Sequence, residues 1–212
     1  MSGGGGPPRL RRLRRGGEYH RVADPAWEDP LDGTFAGRLG GRWNPPGSSP
    51  VVYLNASLRV ARANVLRKLE GQPFGPEDLN PEGAPVLVTT EVPEGDFADL
   101  VTDEGCRAAG LPESYPWEDL RTEADTEYGR ATKVAWEDCR PVGMRAREEG
   151  APGLACRSAA GRDPEDLGPE DEELAYFPQP PGEGSDSKSP HRGPLTAVRI
   201  QPFEEWFWPR SP

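Results

Sequence analysis

GTFAGRLGGRWNPPGSSPVVYLNASLRVARANVLRKLEG, residues 33–71, holds a glycine-rich loop, a short apolar strand and an amphipathic helix, in that order. The order decides much. A phosphate-cradling loop of the dinucleotide or P-loop kind follows a strand and opens a helix. Here the glycines come before the strand, which excludes both readings. VVYL, residues 51–54, has the β-branched and aromatic residues of a strand. Ser57 is placed to cap the helix after it, because its hydroxyl can accept from a free amide of the first turn. Leu58, Ala61, Val65 and Leu69 recur at spacings of three and four and lay one apolar stripe along that helix. Gly71 and Pro73 end it, and Arg59, Arg62, Arg67 and Lys68 fall on its polar face.

N-terminal to this block, EYHRVADP (residues 18–25) reads as a short strand stopped by Asp24-Pro25. Residues 1–17, MSGGGGPPRLRRLRRGG, read as a disordered basic arm with only two leucines to bury. C-terminal to it, PVLVTTEVP (85–93) is a second strand and Asp103–Ala109 a short acidic helix or turn. Residues 126–150 start a helix expected to break near Pro141. Leu154–Cys156 and EELAYF (172–177) are further short strands. Residues 178–194, rich in Pro, Ser and Gly, read as a mobile linker. LTAVRIQPFEEWFW (195–208) is apolar enough to return to the core as a last strand. Short strands with one clear helix and no regular alternation predict an α+β fold, carried by one domain over residues 18–208.

The 26 glycines and 26 prolines imply much loop, while six Trp, five Tyr and six Phe require a packed core. The net charge of −11 disfavours nucleic-acid binding through a basic surface. Residues 1–17 carry five arginines and no acid, so the rest of the chain holds −16. An acidic body with a basic arm is open to three readings: solubility, an acidic partner, or drift. Cys106, Cys139 and Cys156 are widely spaced, with only His20 and His191 to help them, and read as reduced thiols instead of a zinc site. No stretch approaches the apolar length of a membrane span, and no apolar segment follows the N-terminal arginines. The expectation is a cytoplasmic protein without a membrane segment.

Four residues stand out for chemistry. Arg42, in the glycine-rich loop, can offer a planar fork to a phosphate, or can simply lie on a surface turn. Trp43 beside it can stack on a base or anchor the loop. Arg21 sits on the first strand and Tyr53 on the second. The strings HRVADP, GTFAGRLGGRWNPPG and VVYLNASLRVARANVLRKLEG resemble the N-terminal half of a RES domain, a family named for an arginine, a glutamate and a serine. GLACRSAAG resembles the segment ending at the serine, and EELAYF with FEEW the closing region. The likeness spans residues 19–208.

The resemblance implies a fold like that of ADP-ribosyltransferase toxins, with short-stranded sheets around a cleft and flanking helices. It also implies NAD-degrading activity: an NAD glycohydrolase or NAD phosphorylase that breaks the nicotinamide–ribose bond, with water or phosphate as acceptor. NAD is then substrate, with no prosthetic group. A DNA-binding antitoxin is the implied protein partner, as in toxin–antitoxin systems. By position, Arg21 and Arg42 take the family's phosphate-gripping role and Tyr53 its place beside the nicotinamide ribose. Arg21, Arg42 and Tyr53 are therefore expected to point into one cleft. Ser158 takes the serine's place; with no neighbouring base, it orients a ligand or backbone and does not attack. The family glutamate falls on Asn64, which has the size but not the charge. Glu70 lies about 240° around the helix from it. Either another carboxylate serves, such as one within Asp119–Glu127, or the chain is a catalytically impaired module that binds NAD or ADP-ribose. On the sequence alone, Asn64→Glu is expected to raise turnover.

Overall fold

The computed structural model describes residues 9–112, 115–118, 132–133, 136–160, 171–178 and 193–208. Their order is β1 (Arg12–Ala23), α1 (Thr34–Leu39), β2 (Val52–Asn55), α2 (Leu58–Leu69), β3 (Val86–Leu100) and α3 (Asp103–Ala109). The two short strands β4 (Trp117–Glu118) and β5 (Thr132–Lys133) follow, then α4 (Trp136–Glu148). The chain ends with β6 (Gly153–Arg157), β7 (Glu172–Tyr176), β8 (Ala197–Gln201) and α5 (Phe203–Trp206). Among the described residues, β4 and β5 pair with each other in a separate two-stranded sheet. Of the linker read over 178–194, residues 179–192 lie outside the described residues.

The main sheet runs β1-β2-β7-β6-β3-β8, and β3 also pairs with β1. β1, β2, β7, β6 and β3 therefore close into a ring, with β8 added to β3. Every pairing in it is antiparallel except β3 with β6. Alternation along each strand gives the ring two faces. Tyr19, Val52, Leu54, Val88, Leu174 and Tyr176 pack together on one face. The other face packs against helices. There Trp43, Leu154 and Ala175 meet Cys139, Val142 and Ala146 of α4, and Leu87 meets Ala61 and Val65 of α2 with Phe203 and Trp206 of α5. The site lies on this helical face, between the two clusters.

α2 forms as its sequence requires: the Ser57 side chain accepts from the Val60 amide, and Val60, Ala61 and Val65 are buried. Four local expectations fail. A short helix, α1, forms inside the stretch read as a glycine-rich loop. Of residues 195–208, read as one strand returning to the core, only Ala197–Gln201 is a strand, with Val198 and Ile200 exposed, and the buried return is made by Phe203 and Trp206 of α5. α4 runs through Pro141 without a break. The proline sits in its second turn, where it deletes one hydrogen bond, and burial of Cys139, Val142 and Ala146 outweighs that loss. The first strand begins at Arg12, inside the segment read as a loose arm. Its arginines meet acids of the same chain. Arg14 lies 2.7 Å from Glu94, Arg15 2.7 Å from Glu172, and Arg12 3.4 Å from Glu149. Some of the body's acids are thus paired with the arm itself. A bulge lets the pairing pass: the register slips between Arg15 and Gly17, and Gly17 takes φ 91°, which only glycine adopts freely.

Candidate functional site

Asn55 ends β2 opposite Glu173 of β7, so both side chains leave the sheet on the same side, under α2. Asn64, on the inner edge of α2, reaches down to both. Its Nδ2 donates to Asn55 Oδ1 at 2.7 Å and to Glu173 Oε1 at 3.2 Å. Asn55 Nδ2 in turn donates to the His20 carbonyl at 3.1 Å. Ser158, just past β6, donates to the same Glu173 Oε1 at 2.8 Å. Arg42 comes over from the glycine-rich loop and donates to Glu173 Oε2 at 3.3 Å. Three side chains from three parts of the fold therefore converge on one carboxylate, which is itself buried.

Above this network lies a cavity of about 330 Å³, lined by Arg42, Asn64, Arg67, Lys68, Tyr115 and Trp136, among others. Its polar walls are cationic. Burial works against the Arg42 charge, but Tyr115 and Glu173 overcome it and hold the guanidinium above its ordinary pKa. Arg67 is pushed down, first by burial and then by the like charge of Arg42. Cations that close favour an anion between them. Trp136, 49% exposed, offers an aromatic face at the rim.

The glycine-rich loop is built to present Arg42. Tyr53 Oη donates to Asn44 Oδ1 at 2.7 Å and accepts from the Trp43 amide at 3.1 Å, which locks the turn. A Cβ at Gly41 would collide with that hydroxyl, so the loop closes only with glycine there. Burial pushes the Tyr53 phenol well up, so it stays a neutral donor. Trp43 is 1% exposed and packs on Tyr115 with ring centroids 5.7 Å apart. At that burial it anchors the loop.

Of the residues expected to share a cleft, Arg42, Asn64 and Ser158 are brought together through Glu173, and Tyr53 supports the loop beside them. Ser158 is 2% exposed and holds the carboxylate without facing the cavity. Arg21 is elsewhere. Two residues from both Tyr19 and Ala23 and paired with Val88, it points with them to the opposite face of the ring, donates to the Asp32 carbonyl at 3.2 Å and lies 5.2 Å over the Trp27 ring. The expectation that Arg21 joins Arg42 and Tyr53 is thereby corrected, because the alternation of β1 turns it away. Near Arg21 is a larger open depression of about 660 Å³, but Glu28, Asp29 and Asp32 line it, which suits a pyrophosphate poorly.

Sequence reasoning missed Glu173. The signal was present in EELAYF: charged residues inside a short buried strand need partners. What it lacked was the pairing that sets Glu173 against Asn55. The Asp119–Glu127 stretch, the other source considered for an acid, lies outside the described residues. The three cysteines are buried free thiols. Burial pushes Cys106 and Cys139 up to about 11 and Cys156 further. No helix among the described residues is long and apolar enough to cross a membrane.

A mixed helix–strand domain with a cationic cleft over a buried carboxylate is the class that fold and site define. Such a cleft can hold an anionic ligand and stabilise positive charge arising on it. The RES domain model matches residues 9–197, and the chain belongs to the RES domain family. Relatives called NAD(+) phosphorylase MbcT, from Mycobacterium tuberculosis and Mycobacterium bovis, are 33% identical to it over 121 residues. That stretch is 57% of this chain and 56% of theirs, so the chain spans about half the length of the curated relatives it matches. The M. tuberculosis MbcT–MbcA toxin–antitoxin complex contains a similar structure, with TM-score 0.61 over 92% of this chain and 91% of that one. At 22% identity, that likeness shows a shared fold.

Proposed function

We propose that the chain binds NAD in the cavity above Glu173 and breaks its nicotinamide–ribose bond, as an NAD-degrading enzyme of toxin type. The observation that carries this reading is the convergence of Arg42, Asn64 and Ser158 on a buried carboxylate beneath a cationic cavity. The pyrophosphate needs cations, which Arg42, Arg67 and Lys68 supply at the wall. Trp136 and Tyr115 supply apolar surface for the riboside.

In the reaction the bond between ribose C1′ and the nicotinamide nitrogen breaks. Its electron pair stays with nicotinamide, which leaves neutral, and positive charge develops on the ribose. A negative charge nearby lowers that barrier. Water or phosphate then bonds to C1′, water giving up a proton and phosphate entering through an oxygen. The fold carries the reaction as an ADP-ribosyltransferase-like cleft. A small DNA-binding antitoxin that covers this cleft is the matching partner, in keeping with the toxin–antitoxin complex of the structural relative. Glu173 favours an enzyme over an impaired binding module, because it supplies the charge that Asn64 lacks.

The test is nicotinamide release from NAD by the purified full-length chain, with and without inorganic phosphate. Release that rises with phosphate identifies a phosphorylase; release independent of it, a glycohydrolase. Reversing the rim charge with Lys68→Glu is expected to weaken NAD binding about tenfold by calorimetry. A folded chain that neither binds NAD nor releases nicotinamide refutes the reading.

A further inference from the structure

Asn64 is neutral, yet its surroundings fix what it shows to the cavity. Glu173 is acceptor-only when ionised, and Asn55 must turn its Nδ2 to the His20 carbonyl, leaving its Oδ1 toward α2. Both hydrogens of the Asn64 amide are therefore taken, one by Asn55 Oδ1 at 2.7 Å and one by Glu173 Oε1 at 3.2 Å. The atom left for a ligand is Asn64 Oδ1, an acceptor, on a residue that lines the cavity. The negative charge stands one hydrogen bond behind it. Glu173 is itself pinned by Ser158 and Arg42 and is nearly closed off from solvent.

We propose that Asn64 and Glu173 act as one divided acid: Asn64 Oδ1 accepts from a ribose hydroxyl, and Glu173, as a positioning residue, orients that amide and supplies its charge. The inference rests on the NAD-cleaving reading above. The charge comes from β7 and the acceptor oxygen from α2. A carboxylate hydrogen-bonded to an amide N–H polarises it and makes the amide oxygen a stronger acceptor. The ribose then meets an oxygen carrying extra negative charge, with a full charge close behind. Neither half does this alone. An amide without the carboxylate has little charge, and the carboxylate without the amide is shielded from the ligand.

Glu173→Gln keeps the shape and removes the charge. Its kcat is expected to fall roughly 100- to 1,000-fold, the scale of one well-aimed electrostatic partner, while the Kd for NAD changes less than about threefold. Asn64→Ala, on a half-buried helix position, is expected to lower kcat by a similar factor with its fold intact. The double exchange Asn64→Glu with Glu173→Gln returns the charge to the helix and is expected to regain at least about tenfold over Glu173→Gln. Recovery is partial because Asn55 Oδ1 then faces an acceptor. Should Glu173→Gln fail to fold, Asn64→Ala and the double exchange decide. An active wild type whose folded Glu173→Gln or Asn64→Ala variant keeps kcat within about threefold overturns the inference alone. A folded double exchange with no recovery also overturns it. A wild type that binds no NAD and releases no nicotinamide overturns the function, and the inference with it.

Discussion

Asn64→Glu, the change that the sequence suggests as a repair, is expected to damage the protein. The new carboxylate would stand where an amide now donates at 3.2 Å to Glu173 and at 2.7 Å to Asn55. Two unit charges about 4 Å apart repel by about 4 kcal/mol at an effective dielectric near 20. Arg42, 3.3 Å from Glu173, attracts both and offsets part of this, leaving about 2 kcal/mol of repulsion. Losing the donor to Asn55 adds about 1 kcal/mol. The total is about 3 kcal/mol at pH 8, a drop of about 1.5 M in the urea midpoint for a chain of this size. The sign of the pH dependence follows. Two crowded carboxylates share a proton, so one folded-state pKa is raised above the unfolded glutamate value of about 4.3. The folded variant then binds more protons than the unfolded chain, so its stability falls as pH rises through that window. The penalty is largest at pH 8 and shrinks toward pH 5, where the shared proton restores a donor. Urea unfolding followed by tryptophan fluorescence at both pH values measures it. A variant as stable as wild type at pH 8, or a penalty that does not change with pH, would refute the geometry of the carboxylate site. Turnover of this single variant is expected to fall.

Other outcomes test the rest of the structure. Removing residues 1–17 deletes half of β1 and leaves the buried Glu172 without Arg15, so it is expected to unfold the domain or lower its melting temperature sharply by calorimetry. Arg15→Ala alone is expected to cost about 1–2 kcal/mol, because Arg15 is part exposed and Glu172 keeps the bond from the Tyr19 hydroxyl at 3.0 Å. Trp43→Ala opens a core void and is expected to cost about 4 kcal/mol in urea unfolding. Trp136→Ala at the cavity rim is expected to leave the melting temperature unchanged and weaken NAD binding. His20 is held below its ordinary value of 6.5, first by burial. The unfolded chain therefore binds a proton that the folded one resists, and stability is lost as pH falls below 6.5 toward the folded value. His20→Gln is expected to flatten that part of a stability–pH curve.

The sequence by itself determined β2, α2 and the family. Ser57, the three-and-four spacing through Leu69 and the VVYL run define β2 and α2 without any distant contact, because capping, periodicity and β-propensity are properties of neighbouring residues. The loop order excluded a Rossmann or P-loop domain, and the motif strings pointed to the RES family. Tertiary structure decided what no local rule carries. The arginines of residues 11–15 look like a solvated arm until β3, α4 and β7 bring Asp99, Glu94, Glu149 and Glu172 against them. Arg21 looks like a partner of Arg42 until the alternation of a closed ring turns it to the opposite face. Glu173 lies 109 residues along the chain from Asn64, and only the pairing of β2 with β7 sets it under α2. A side chain's electrostatic partner is fixed by strand register, and register is a property of the folded sheet as a whole.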